Sequence, residues 1–149
     1  MRVLIVNDYG TLHGGAEHIS FAIRQGLRER GHECALFSTS ASPIPVESVA
    51  DFECFGSMAG VRKLLQVANP SALWNLKRVL REFQPDLVHL RMFMSQMSPL
   101  VLSALKDVPT VHHVVNYDLI CPLNVKRLPD GSPCEQKLGV ACHDNGCLP

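Results

Sequence analysis

The run VLIV at residues 3–6 constrains the fold more than any other stretch. Four consecutive β-branched or leucine side chains leave no polar face, which is the pattern of a strand buried on both sides in a parallel sheet. Parallel neighbours need crossover connections, so helices must alternate with the strands. The sequence supplies them. Over residues 16–30, Ile19, Ala22, Ile23, Gly26 and Leu27 recur at helical spacing, with Arg24, Arg28, Glu29 and Arg30 largely opposite and Gly31 placed to end the helix. HECALFST at 32–39 reads as a second strand, with Cys34, Leu36 and Ser38 on one face and Ala35 and Phe37 on the other, and DFECF at 51–55 as a short third. A helix is expected over about 61–68, broken by Pro70, and Ser71 is placed to cap ALWNLKRVLREF, whose stripe is Leu73, Leu76, Leu80 and Phe83. DLVHL is a fourth strand, Ser98-Pro99 opens a helix through LVLSALKD, and PTVHHVV at 109–115 is a fifth strand. The reading is an α/β, three-layer Rossmann-like domain, with a parallel sheet and helices on both faces. It covers residues 1–120; residues 121–149 form an irregular, cysteine-containing segment of the same domain.

Apolar residues are 46% of the 149 and charged residues 19%, enough to fold around one core. The formal net charge is zero, so no global field draws in nucleic acid, and function must reside in local sites. No apolar run approaches the ~18 residues of a membrane span, and MRVLIV is too short and too soon interrupted for a signal peptide. A cytoplasmic location is the expectation.

NDYGTLHGGAEH, residues 7–18, joins the first strand to the first helix. In such sheets ligands gather beyond the carboxyl ends of the strands. Gly14 and Gly15 remove side chains where the helix begins, so free backbone N–H groups can face a phosphate or diphosphate. Two better-known phosphate loops are excluded. Ala16-Glu17 stand where a Walker A loop needs Lys and Ser/Thr. A dinucleotide fold needs G-x-G-x-x-G and an acid after the second strand, but this chain offers GTLHGG and Phe37-Ser38-Thr39. The competing reading is that the pair only permits a tight turn.

MRVLIVND, HGGAE and the later ERGHE resemble the opening of family-four glycosyltransferases of the GT-B fold. PDLVHLRMF, MSPLVLSALK and VPTV continue the likeness, and NYDLICP followed by LPDGSPCE carries it most specifically, in order over nearly the whole chain. The resemblance implies the N-terminal, acceptor-side domain of an enzyme that moves a sugar from a nucleotide-sugar to an acceptor hydroxyl with retention. The acceptor would be a sugar or a lipid-linked molecule, and catalysis would need no bound metal. It also implies a donor-binding C-terminal domain as partner, so the 149-residue chain alone is expected to be inactive. Gly14 and Gly15 would line the cleft near the diphosphate, and Asn116 and Tyr117 match the family's HNY motif. His89 matches the first His of its VHLH, where Arg91 replaces the second, which makes Arg91 a substrate-side candidate. The His of HNY falls on Val115. That loss favours a rival reading, a non-catalytic binding or scaffold module on the same fold. The sugar, nucleotide and acceptor are not specified by these residues.

His89 and His113 are the candidates for reaction-centre work. His113 shares a strand face with position 115 but sits ~6–7 Å deeper by strand rise. Both also read as ordinary strand residues, and His112 faces the other way. Trp74, Lys77, Arg78 and Arg81 make one helix basic and amphipathic, which suits either a membrane surface or a solvated face.

Cys121, Cys134, Cys142 and Cys147 are spaced C-x12-C-x7-C-x4-C in a segment without apolar period. Four thiolates satisfy tetrahedral zinc, and His143 could replace one of them. No C-x2-C knuckle is present. Structural zinc, unliganded cysteines and a disulfide all stand open.

Overall fold

A computed structural model describes residues 1–147; Leu148 and Pro149, the end of the cysteine-containing segment, lie outside the described residues. The chain divides into two compact units, Met1–His113 and the residues from Val114 onward.

The first unit is built on five parallel strands, β1 (Arg2–Tyr9), β2 (Glu33–Thr39), β3 (Phe52–Cys54), β4 (Leu87–Leu90) and β5 (Thr110–His112), in the order β3-β2-β1-β4-β5. Helices α1 (Gly15–Glu29), α2 (Arg62–Val67) and α3 (Pro70–Phe83) and a 3-10 helix at Pro99–Ala104 connect them. The strand order reverses direction at β1. Chain leaving β1 turns towards β2 and chain entering β4 comes from the far side, so the carboxyl ends of β1 and β4 form the switch point at which sheets of this kind hold ligands.

β1 shows why the continuous apolar run was readable. Leu4 and Val6 join Ala35, Phe37, Val88 and Leu90 on one face, under Ala72, Leu76 and Val79 of α3. Val3 and Ile5 face the other side with Cys34 and Leu36, where Ile23 and Leu27 of α1 cover them. The sheet is thus layered on both sides, as a parallel sheet with buried strands must be. Among the described residues no helix is long and apolar enough to cross a membrane.

Four expectations need correction. α2 does end before Pro70, but α3 begins at Pro70 itself, with Asn69 rather than Ser71 as its cap: Asn69 Oδ1 accepts the Ala72 N–H at 3.0 Å, and Ser71 lies inside. The turn after Ser98 is 3-10, with the Ser98 hydroxyl accepting the Leu100 N–H at 3.4 Å. β5 stops at His112, short of Val115. α1 buries Glu17, Ser20 and Arg24 rather than its apolar stripe alone; Ile19 is exposed, and with Ala22, Ile23, Gly26 and Leu27 it lines an open apolar groove. The polar side chains face inward because each has a partner there. Ser20 Oγ donates to the Ala16 carbonyl at 3.1 Å, and Arg24 donates to the Val49 carbonyl at 2.6 Å and to Asp51 at 2.7 Å.

The second unit carries little regular structure: an isolated bridge between Arg127 and Pro133, and the short helix α4 (Val140–Asp144).

Candidate functional site

β1 does not end at Val6. It continues through Asn7, Asp8 and Tyr9, all buried, with an irregularity in its pairing to β2 between Val6 and Tyr9. Asp8 is fully buried, and its carboxylate accepts the Ser95, Gln96 and Met97 N–H groups at 2.8, 2.9 and 3.0 Å. One side chain therefore clamps the loop after β4 against the end of β1. Asn7 donates through Nδ2 to the Tyr9 carbonyl at 2.9 Å, while its buried Oδ1 has no protein partner. Gln96, also fully buried, donates to the Ser57 carbonyl at 3.2 Å and to the Tyr9 hydroxyl at 3.3 Å.

The loop then runs to Gly14, the residue before α1, whose backbone is extended (φ −148°, ψ 171°) and which supplies no side-chain cap. Neither glycine of the pair adopts the left-handed conformation that only glycine takes easily. A Cβ on Gly14 would meet Glu17 Oε2 at 2.9 Å, whereas a Cβ on Gly15 would meet nothing within 4 Å. The tight-turn reading thus finds no backbone requirement at Gly15; what glycine leaves there is open space before the first turn of a 15-residue helix.

Behind that turn lies Arg91, 2% exposed. Its Nη2 donates to the Ala16 carbonyl at 3.2 Å, its Nη1 lies 3.0 Å from His113 Nδ1, and its Nε is unpartnered. Burial pushes Arg91 down from the usual arginine value, and the nearby Glu17 carboxylate opposes that shift. Arginine has only donors, so His113 Nδ1 accepts in this contact and the ring carries its proton on Nε2. His113 stacks on His89 with centroids 5.4 Å apart and planes 16° apart. Burial, then the Arg91 charge, then His113 push His89 down to about 4, so it is neutral near pH 7.

The structure thus gathers four of the sequence-derived candidates towards the carboxyl end of the sheet: Gly15 through Ala16, Arg91, His113 and His89. It does not leave Arg91 free to face a ligand, since the guanidinium is spent on the α1 backbone and His113. Asn116 and Tyr117 belong to the second unit. Asn116 Nδ2 donates to Asp118 at 2.7 Å, the Tyr117 N–H donates to Asn124 Oδ1 at 2.9 Å, and the Tyr117 side chain is exposed. Asp8 and Glu17 were missed. Their signal was a polar pair immediately after a fully buried strand, and an acid in a first helical turn.

The sequence pattern of the glycosyl transferase 4-like domain family matches residues 14–145, from the glycine just before α1 to the residue just after α4. The chain belongs to this family. A glycosyl transferase 4-like domain is GT-B in fold and of glycosyltransferase type in function, and the five-stranded parallel sheet agrees with it. No curated protein matches the chain.

In the second unit of this glycosyl transferase 4-like domain, Cys121 and Cys142 are buried and Cys134 and Cys147 half-buried; all are free thiols. Burial raises the Cys121 thiol, but the backbone N–H groups of Lys126, Val125, Leu123 and Asn124 outweigh it and hold the thiol below its usual value. Burial raises Cys147, and its neighbours Cys142, Cys134 and Cys121 raise it further. Among the described residues no three such side chains stand at metal-holding geometry. His143 is turned outward, with Nδ1 3.6 Å from Asp144.

Proposed function

We propose that this chain is the N-terminal, acceptor-side half of a retaining glycosyltransferase. The intact protein moves a sugar from a nucleotide-sugar to the hydroxyl of a sugar or lipid-linked acceptor, without a catalytic metal, once its own C-terminal domain grips the donor. The observation that carries this reading is the open space before Gly15 at an α1 start with no side-chain cap. Leading N–H groups and the positive end of a helix dipole suit a diphosphate leaving group, whose charge grows as the glycosidic bond breaks. Glu17, the one acid in that turn, is buried and set off by Arg91. A hydrogen bond from His113 Nε2–H suits an anion or a sugar oxygen, not proton abstraction.

A specific observation also supports a second reading, a module that binds but does not react. Val115 carries no titratable group, His89 is held neutral, and His113 Nδ1 is occupied. The discriminating experiment uses the protein from the complete reading frame with a panel of nucleotide-sugars, reading nucleoside diphosphate release and product anomer. Transfer with retention by that protein, silence from the 149-residue chain, and loss of kcat/KM by at least ~10-fold in a folded Gly15→Val variant support the first reading. Donor binding without turnover across the panel supports the second, and an unchanged kcat/KM in Gly15→Val refutes the diphosphate cradle.

A further inference from the structure

α2 and the outer side of α3 hold large apolar side chains in water. α2 buries only Leu65 and leaves Leu64 and Val67 70% and 78% exposed. α3 turns Ala72, Leu76 and Val79 into the core and leaves Trp74, the sole tryptophan, 61% exposed. Phe55, which follows β3, is exposed as well. Asn69 ties these segments together: its Nδ2 donates to the Phe55 carbonyl at 2.9 Å while its Oδ1 caps α3. The Phe55 N–H in turn donates to Ser71 Oγ at 3.1 Å, one turn before Trp74. The three segments thus meet at the start of α3. That helix covers the Leu4 and Val6 side of the sheet, opposite α1, so this surface is separate from the Arg91–His113 cluster.

The same stretch departs from the charge balance of the chain. Lys and Arg number 14 against 14 Asp and Glu, yet no acid stands between Glu53 and Glu82, where Arg62, Lys63, Lys77, Arg78 and Arg81 all carry positive charge. Lys77 and Arg81 are exposed beside Trp74, and the Arg78 guanidinium lies 5.7 Å from the centre of the indole and 3.9 Å from Glu82. A merely solvated face mixes its signs and keeps its large apolar side chains inward. This one shows a single sign and turns them outward, which marks an interaction surface. A nucleic acid would meet the cations and leave Leu64 and Val67 in water. Both halves are met by a partner with anionic charge at its surface and hydrocarbon just beneath, which is an anionic lipid bilayer.

We propose that α2 and the outer side of α3 dock on an anionic membrane surface. Leu64, Val67 and Trp74 sit at the boundary between headgroups and acyl chains, where an indole is at home, and the Lys and Arg heads reach back to the lipid phosphates. The helices are only 6 and 14 residues long, so the contact is peripheral and reversible.

The test is flotation of the whole purified chain with vesicles of phosphatidylcholine alone and of phosphatidylcholine mixed with phosphatidylglycerol. No nucleotide-sugar enters the measurement, so its outcome is independent of the transfer reading. Binding is expected on the mixed vesicles and at least ~10-fold weaker on the neutral ones. It should fall as salt rises from ~0.1 to ~1 M and the Debye length shrinks from ~10 to ~3 Å. Trp74 emission should shift to the blue on binding and be quenched by brominated acyl chains. Two double variants, Lys77→Glu with Arg81→Glu and Leu64→Ser with Val67→Ser, change exposed side chains only, and circular dichroism checks that each folds. Each should raise the lipid concentration for half-binding at least ~10-fold. Absence of binding to the mixed vesicles, binding that leaves Trp74 emission unchanged, or equal binding by both folded variants overturns the proposal. Capture by soluble polyglutamate but not by the mixed vesicles also overturns it, and assigns the surface to an acidic protein.

Discussion

Asp8→Asn should weaken the first unit while leaving its outline intact, and the size of the loss follows from three bonds. Oδ1 takes the Gln96 and Met97 N–H groups, and Oδ2 takes that of Ser95. An asparagine that keeps its oxygen at the Oδ1 position retains two of these, now without charge assistance. Its NH2 would face the Ser95 N–H, donor against donor. Losing one charge-assisted bond costs ~1.5–3 kcal/mol, and leaving a buried donor unpaired adds ~1–3 kcal/mol. Partial relaxation of the loop offsets some of this, so we expect ~3 kcal/mol. With a urea slope of ~1.5 kcal/mol per molar, the midpoint falls by ~2 M. The sole tryptophan, Trp74, lies in α3, so its fluorescence reports the unit that holds Asp8. Hydrogen exchange at Ser95, Gln96 and Met97 should accelerate more than at Leu4 or Ile5. A loss below ~1 kcal/mol, or unchanged exchange at those three amides, would refute the clamp.

Asp51 should make the same unit acid-sensitive. Burial raises its carboxyl, but the Leu36 N–H, Arg28 and Arg24 outweigh this and leave it below its usual value of 3.8. A depressed folded value contributes stability above the unfolded value and loses it as pH falls through the folded one. Asp51→Asn should therefore cost about 1–2 kcal/mol above pH ~5 and progressively less below, read from urea midpoints against pH; a pH-independent difference would contradict this. Arg91→Met should cost ~3 kcal/mol, mainly by removing the donor to the Ala16 carbonyl and the partner of His113 Nδ1, with a smaller part from the charge near Glu17. Adding Glu17→Gln should recover part of that loss in a double-mutant cycle, and strict additivity would show the two do not interact.

The layering of the sheet was legible because burial on both faces writes a continuous apolar run, as VLIV does, and because glycine and proline punctuate the helices between. What escaped depends on partners distant in sequence. The inward turn of α1 is set by Asp51, 27 residues from Arg24. Arg91 finds its partners 75 residues back at Ala16 and 22 residues on at His113. No period within one helix or strand encodes such pairs. The start of α3 was placed too late for a local reason: the proline that ends α2 also opens the next helix at its first position, so the cap falls on Asn69 rather than Ser71. At the candidate site, the glycine pair is where the sequence points, at the start of α1. The buried role of Arg91 and the fully buried carboxylate of Asp8 were not visible, because polar residues at the carboxyl ends of central strands look like loop residues in sequence. The second unit gave only its cysteine spacing, since it has no apolar periodicity to read.

The inward polar side of α1 has a mechanical consequence. A helix seated on grease alone finds its angle within a tolerance of some ±15–20°, because ridges and grooves are forgiving. Hydrogen bonds are not: they weaken steeply as their angles open. Arg24 and Arg28 grip Asp51 from two sides at 2.7 and 2.9 Å, and Arg91 holds the Ala16 carbonyl at the leading end. Together they index α1 like a keyed shaft, fixing its roll about its own axis as well as its depth. The leading N–H groups are thereby aimed before anything arrives, and the reorganisation a free-rolling helix would undergo on meeting an anion has already been done during folding.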